Sequence, residues 1–481
     1  MEAIINEMRA AVAPGRQELD EVAVGRLREL TASLVDARRE SARLEYERFL
    51  SVIKREICLP KEQLAARLDG AVILVTGGTG CVGSTLIAQL AAFPTARVVS
   101  VSRGVTQGWP RHPGAEYTCA DVRDRGRMDA LISELKPDLV FHVASQRDPG
   151  LAETLVHHTV TTNVLGTRNV LDAMAAAGTG QVVCASTGKA LRPFSPDVYT
   201  ASKRVAEWVA FGFAASGALP VSAVRFTHVA DNSIIHQRLQ DWAAASGVIR
   251  LHSPQIAFYV QSAAESAQLL MQAALDERPG RLPIRAITDL GWPVSLLDLT
   301  LGVLAARDSA AAVYLSGYDP GYEEVPFPGL YDPATAGELS PLLNAFEASA
   351  VVPSECPMTD AFEAAFAPQP RAAELSGALD AVCGDTDDPG RVRSALRELS
   401  WALLDATLAI APAGALDRAA RMASRHAATL TADHRQILHV IQGWAGQRGN
   451  LPAASRPRGE APGARPRSSR SGCPDGVPES G

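Results

Sequence analysis

Residues 71–90, AVILVTGGTGCVGSTLIAQL, constrain the fold more than any other stretch. The apolar run Ala71 to Val75 fits a buried parallel strand, Thr76 to Gly83 makes a tight turn, and an apolar-periodic helix follows. A strand that enters a helix through Gly77, Gly80 and Gly83 reads as the first β-turn-α unit of a sheet that receives a dinucleotide. In such a unit one glycine permits the turn, one lets backbone N–H groups approach a pyrophosphate, and one lets the helix pack against the sheet. Thr79, Cys81 and Val82 share the same turn. The spacing is Gly-x-x-Gly-x-x-Gly rather than Gly-x-Gly-x-x-Gly, so a glycine-rich turn without a ligand stays open until the downstream segments are read.

The chain is 481 residues long, enough for a large α/β domain with added segments. A formal net charge of −7 and the lack of a basic patch interleaved with aromatics argue against a nucleic-acid binder. The seven cysteines are scattered and never in C-x-x-C spacing, which points to reduced thiols in a cytoplasmic protein and away from a disulfide framework or zinc site. His157 and His158 are adjacent, but no H-E-x-x-H occurs, so no metal is expected. No apolar run is long enough to span a membrane, and MEAIINEMRAAV does not read as a signal peptide. The expected setting is the cytoplasm, without membrane contact.

Strands and helices alternate from Ala71 to about Val224. ARVVSVSRG (Ala96 to Gly104) supplies the second strand, whose end meets the adenosine ribose in a dinucleotide fold. An acid there would accept from a free ribose 2′-OH. This chain has Ser102 and Arg103 instead, and a guanidinium pairs with a 2′-phosphate, which favours NADP, with NAD as the alternative. A solvated surface arginine is the other reading. Asp121 and the Val122 backbone, after the third strand, are placed to meet the adenine edge, although an Asp there is also an ordinary turn residue. The fourth strand runs into the small-residue loop at Ala144. The fifth ends at Ser186 and Thr187, and Tyr199-Thr200-Ala201-Ser202-Lys203 follows. Tyr199 and Lys203, four apart, share one helix face, so an ammonium near the phenol oxygen can lower its pKa, and Ser186 or Thr187 can bind the same substrate oxygen. The pattern predicts a Rossmann-type, doubly wound parallel sheet.

Taken in order, VTGGTGCVG, Ser102-Arg103, Ala120 to Asp124, VFHVAS, TNVLGT, CASTGKA, YTASKRVAE and Val224-Arg225-Phe226 resemble the extended short-chain dehydrogenase/reductases. Within them the chain resembles the polysaccharide-biosynthesis NDP-sugar 4,6-dehydratase/epimerase family, the UDP-N-acetylglucosamine type, over about residues 71–325. The resemblance implies that Gly77, Gly80 and Gly83 hold a pyrophosphate, Arg103 the 2′-phosphate and Asp121 the adenine. It implies Tyr199 and Lys203 as the catalytic pair, Thr187 as their hydroxyl partner and Lys189 as the base at the neighbouring carbon. The implied chemistry is hydride transfer at a hydroxyl carbon of a sugar nucleotide or related sugar.

The departures bear on which reaction. Gly188 stands where the family has an acid, and a glycine cannot protonate a leaving hydroxyl. Oxidoreduction or epimerisation is therefore expected ahead of 4,6-dehydration unless Asp148 or Asp197 supplies the acid. Ala257 and Asp319 stand where the family has arginines that bind diphosphate, Tyr322-Glu323 replaces its Glu-Lys, and His228 replaces an Asn. These changes leave two rivals: an NADP-dependent dehydrogenase or reductase of a non-nucleotide polar metabolite, and an inactive cofactor-binding scaffold.

The expected organisation is a helical N-terminal extension over 1–68, packing on the main domain or on a second subunit, and an NADP-binding domain over 69–325 whose substrate-binding part is mainly 225–325. A helical region over 326–448 and a disordered tail over 449–481 complete the chain. Within the third segment, Ser340 to Phe366 reads as mostly helical. A homo-oligomer is expected, with a small sugar or sugar nucleotide as the partner.

Overall fold

The computed structural model describes residues 2–93, 97–104, 111–178, 180–231, 234–318, 327–328, 330, 340–347, 350–352, 356 and 358–449. Six strands with intervening helices come first: β1 (Val72–Thr76), β2 (Arg97–Ser102), β3 (Ala115–Cys119), β4 (Leu139–His142), β5 (Gln181–Thr187) and β6 (Val221–Phe226). Beyond them the chain makes β7 (His228–Val229), β8 (Val248–Leu251), β9 (Ala257–Phe258) and β10 (Val260–Gln261). It returns to the sheet with β11 (Pro283–Ile287), then forms β12 (Val294–Ser295), β13 (Ala312–Leu315), β14 (Val351–Val352) and β15 (Thr359–Glu363).

The main sheet has nine strands in the order β14-β15-β11-β6-β5-β4-β1-β2-β3. β3 to β11 pair in parallel, while β15 and β14 close that edge antiparallel. β1, β4, β5 and β6 are almost wholly buried, as expected of parallel strands covered by helices on both faces. Strand order reverses between β1 and β4, and a crevice opens there at the carboxyl ends of the strands. The doubly wound sheet expected from the sequence is therefore present.

A second core lies where the short ladders β7/β10, β9/β12 and β8/β13 meet the N-terminal helices. The long helix Glu21–Val52 lies on the helix Leu296–Ala306 so closely that a Cβ at Gly302 would stand 2.5 Å from the Ala42 carbonyl oxygen. Arg38 makes a forked ion pair with Asp298 at 2.6 Å, and Glu45 accepts from the Ser295 N–H at 2.7 Å. The N-terminal extension packs on its own chain through these contacts.

The region 326–448 departs from its all-helical reading. Residues 370–449 are helical, but Val351–Val352 and Thr359–Glu363 are strands of the main sheet, and 340–347 is a run of turns. The reading of Ser340 to Phe366 as mostly helical is thus corrected: β11 offers an open edge, and pairing with it decides the local state. The helices Pro370–Asp385 and Pro389–Ile410 pack against the main core, and those beyond them form a third core with Phe194, Phe327 and Phe346. Among the described residues, no helix is long and apolar enough to cross a membrane. The tail beyond residue 449 lies outside the described residues.

Candidate functional site

A cleft of about 2520 Å³ runs along the carboxyl ends of the parallel strands. Small-molecule pockets are commonly of the order of 300–1,000 Å³, so the volume suits two ligands side by side. The turn after β1 lines one end. Gly77 has φ +72°, and a Cβ there would meet the Ala144 backbone nitrogen at 2.8 Å, so only glycine lets this turn lie against the loop after β4. A Cβ at Gly83 would meet the Gly77 carbonyl at 2.3 Å, which makes it the glycine of close helix packing. Gly80 is the N-cap of the helix Cys81–Leu90 and gives it no side-chain cap. The first N–H groups of that helix therefore look for acceptors beside the cleft wall formed by Thr79, Cys81 and Val82.

Ser102, the exposed Arg103, Asp121, Val122 and Ala144 line the same end. Asp121 is not a free acceptor: Arg123 grips its carboxylate with contacts down to 2.6 Å and also reaches His158 Nδ1 at 3.0 Å. Burial works to raise the Asp121 pKa, but the bonds from Arg123 more than offset it and hold the carboxyl below its usual range.

At the other end, Asp197 caps the helix Val198–Ser216 through the Thr200 N–H, which fixes where Tyr199 and Lys203 emerge. The Thr187 side chain shares a hydrogen bond with the Tyr199 phenol, while Ser186 donates to the buried Glu207 at 2.7 Å. Of the two hydroxyls considered from sequence, Thr187 is the one at the phenol. Lys203 is 6 % exposed and donates its Nζ to the Ala185 carbonyl at 2.7 Å. Burial pushes Lys203 down to about 8 and the phenol of the half-buried Tyr199 up to about 12. The expected lowering of the phenol by Lys203 is absent from this geometry, because burial dominates at Tyr199 and the ammonium is engaged at Ala185. Lys189 places its Nζ over the Tyr199 ring, 5.9 Å from the centroid. Every residue singled out from sequence as catalytic or cofactor-binding lines this one cleft.

Gly188 is buried, and a Cβ there would stand 2.5 Å from Leu342 Cδ2. The space for a side chain is filled by Leu342. Neither substitute acid is free. Asp197 caps its helix and pairs with Ser195 without lining the cleft, while Asp148 caps the helix Pro149–Thr154 and meets Arg238 at 3.3 Å. Ala257 lines the cleft as a side chain without charge; Asp319, Tyr322 and Glu323 lie outside the described residues.

Sequence reasoning missed four cations in the cleft lining: Arg147, Arg192, Arg238 and Arg250. Arg250 is committed to the Arg16 and Gln17 carbonyls at 2.9 and 2.5 Å. The others stand in loops or on a helix face where an arginine reads as solvated, and no local pattern marks them. His228 is exposed within the cleft, its ring centroid 4.6 Å from that of Phe258. Its place deep in the cleft and then the Lys189 charge push its imidazole down to about 4.

The family model described as "Polysaccharide biosynthesis protein" matches residues 73–321, just over half of the chain. The chain belongs to this family. The match bears out the resemblance to extended short-chain dehydrogenase/reductases of the epimerase/dehydratase kind. The probable polysaccharide biosynthesis protein EpsC of Bacillus subtilis is 25% identical over 288 residues, covering 58% of this chain and 46% of EpsC. The chain thus spans about half the length of that relative. A UDP-N-acetylglucosamine 4,6-dehydratase (inverting) of Campylobacter jejuni is 31% identical over 137 residues, 27% of this chain and 40% of the dehydratase. Among solved structures, Pen from Bacillus thuringiensis superposes with a TM-score of 0.53 at 19% identity, over 63% of this chain and 90% of Pen, a likeness of fold.

Proposed function

We propose that this family member binds NADP at the glycine-turn end of the cleft and a sugar nucleotide at the other, and moves hydride at a hydroxyl carbon of the sugar, by oxidoreduction or epimerisation. The observation that carries this reading is the convergence of Thr187, Tyr199 and Lys203 in the same cleft as Gly77, Gly83 and Arg103. The residues fit the cofactor. The uncapped N–H groups after Gly80 suit a pyrophosphate, and Arg103 suits a 2′-phosphate with charge-assisted bonds. When bound, NADP supplies the hydride acceptor.

The chain's own residues supply the rest. With its pKa pushed up to about 12, Tyr199 is held mainly as the phenol, which donates its proton to the ketone oxygen when hydride returns to the sugar; when hydride leaves the hydroxyl carbon, the phenolate form takes the hydroxyl proton. Thr187, bonded to the same phenol, holds that oxygen. Lys203, fixed on the Ala185 carbonyl, adds a positive charge to the wall of the cleft. Arg147 and Arg192 bring positive charge to the cleft suited to a diphosphate, and Arg238 stands there paired with Asp148. Elimination of water needs an acid beside Gly188, and Leu342 occupies that place, which is why the reading stops short of dehydration.

Replacing Tyr199 with Phe tests it. Hydride transfer should fall by about 10²–10⁴-fold while NADP affinity, followed by calorimetry, stays the same. Undiminished transfer would remove Tyr199 from the role.

A further inference from the structure

Gly188 follows Thr187 directly, so whatever touches Gly188 also borders the place where a substrate oxygen meets Thr187 and Tyr199. Leu342 does so from a segment outside both the family match and the stretch that resembles the family. Its Cδ2 fills the would-be Cβ position at Gly188, and the residue is 5 % exposed, the exposed part forming cleft wall with Phe226, Leu191 and Leu330. The wall is held from behind. The Leu342 carbonyl accepts from Arg225 Nη1 at 3.0 Å, and Asn344 donates to the Leu191 carbonyl at 2.6 Å. Glu347 pairs with Arg225 at 2.7 Å, both side chains fully buried.

We propose that Leu342 selects the substrate by the substituent on the ring carbon next to the one oxidised: a methyl group seats against this wall, and a hydroxymethyl or carboxylate does not. This rests on the sugar-nucleotide reading above. A methyl there trades water for apolar contact. A hydroxymethyl gives up hydrogen bonds to water against a Leu342 side chain that returns none, with the Phe226 carbonyl 3.5 Å from the would-be Cβ the nearest polar atom there, and a carboxylate gives up more, since that carbonyl can only accept. Lys189, the nearest charged neighbour in sequence, has its ammonium over the Tyr199 ring, so the surface at Gly188 itself belongs to Leu342.

Calorimetry on the NADP-loaded protein tests this with two uridine diphosphate sugars, and two thymidine diphosphate sugars, that differ only in CH3 against CH2OH at that carbon. The methyl sugar should bind about tenfold or more tightly, since an apolar pocket discriminates against an added hydroxyl by up to about 10². In Leu342→Ala the ratio should fall towards unity, with NADP affinity unchanged as the sign of an intact fold. Leu342→Val trims the tip with less loss of packing, and should shift the ratio in the same direction if the alanine variant no longer binds NADP. A wild-type preference for CH2OH, or a ratio unmoved by either variant, overturns the proposal while leaving the sugar-nucleotide reading standing. Failure of UDP, dTDP and all four sugars to bind overturns that reading, and this proposal with it.

Discussion

The two ends of the cleft are built in opposite ways. The glycine-turn end is local: Gly77, Gly80 and Gly83 belong to one turn, and Arg103 and Asp121 follow the next two strands of the same sheet. The other end is assembled from segments far apart in the chain, with Leu342 against Gly188, Glu347 on Arg204 and Arg225, and Arg250 on the carbonyls of Arg16 and Gln17. A local site can be specified by a short motif. An assembled one depends on whatever holds the distant segment in place, and here that is a buried set of charges.

The most damaging way to probe this difference is to remove one of those charges. Arg204, Glu207, Arg225 and Glu347 are all nearly inaccessible, and Arg225 bridges both glutamates at 2.7–2.9 Å. Burial works against each charge, yet Arg225 more than compensates at Glu207, whose carboxyl is held below its usual range. The set balances two positive against two negative groups, so Glu347→Ala leaves an uncompensated cation in the core and should cost about 3–5 kcal/mol in urea denaturation. Arg97→Ala, at the exposed Arg97–Glu116 pair of the glycine-turn half, should leave stability within error. If Glu347→Ala costs no more than Arg97→Ala, the segment 340–347 is not anchored by these charges.

The same contrast explains what could be read from the amino acids alone. β1, β2, β4 and β5 were legible because buried parallel strands are apolar runs, and the helices Arg125–Leu135 and Val198–Ser216 carry their own caps. Tyr199, Lys203 and Thr187 were legible because one helix face and one strand end bring them together. β14 and β15 were not: Val351–Val352 is only a dipeptide, and Thr359–Glu363 becomes a strand through the edge that β11 presents. Leu342 was also hidden, since a leucine packed on a glycine 154 positions away leaves no local signature. Where the residues do come together, their state can still differ from the expectation. Lys203 was expected to lower the phenol, and burial raises it instead, a balance that depends on what surrounds both groups.

At the local end, a smaller change should act on one ligand selectively. Arg103 is exposed at the end of β2 and lines the cleft, so Arg103→Ala should leave the fold intact. It should weaken NADP by about 1.5–3 kcal/mol, the range for hydrogen bonds to a charged group, with little change for NAD. Calorimetric titration with each cofactor reads the difference directly, and equal losses would mean that Arg103 does not recognise the 2′-phosphate.

An effect that grows only as pH falls separates the halves through a histidine under the glycine turn. His142 is fully enclosed, with Nδ1 2.9 Å from Thr76 Oγ1 and Nε2 3.0 Å from Thr167 Oγ1. Thr167 already donates its hydroxyl proton to the Asn163 carbonyl at 2.7 Å, so it must accept from Nε2–H, which leaves Nδ1 to accept from Thr76. A second proton on the ring would face the Thr76 donor, and burial followed by the Lys203 charge pushes the imidazole down to about 3. The folded pKa thus lies below the unfolded value of about 6.5, so the unfolded chain binds the extra proton. Stability must then fall as pH drops from about 6.5 towards 3, with this group contributing about 1.4 kcal/mol per pH unit. His142→Gln should lower stability at pH 7 but flatten that acid arm in urea denaturation, whereas Glu347→Ala should shift the whole curve without removing the slope due to His142. An acid arm as steep in His142→Gln as in the wild type would show that the acid sensitivity comes from carboxylates elsewhere and not from the histidine beneath the turn.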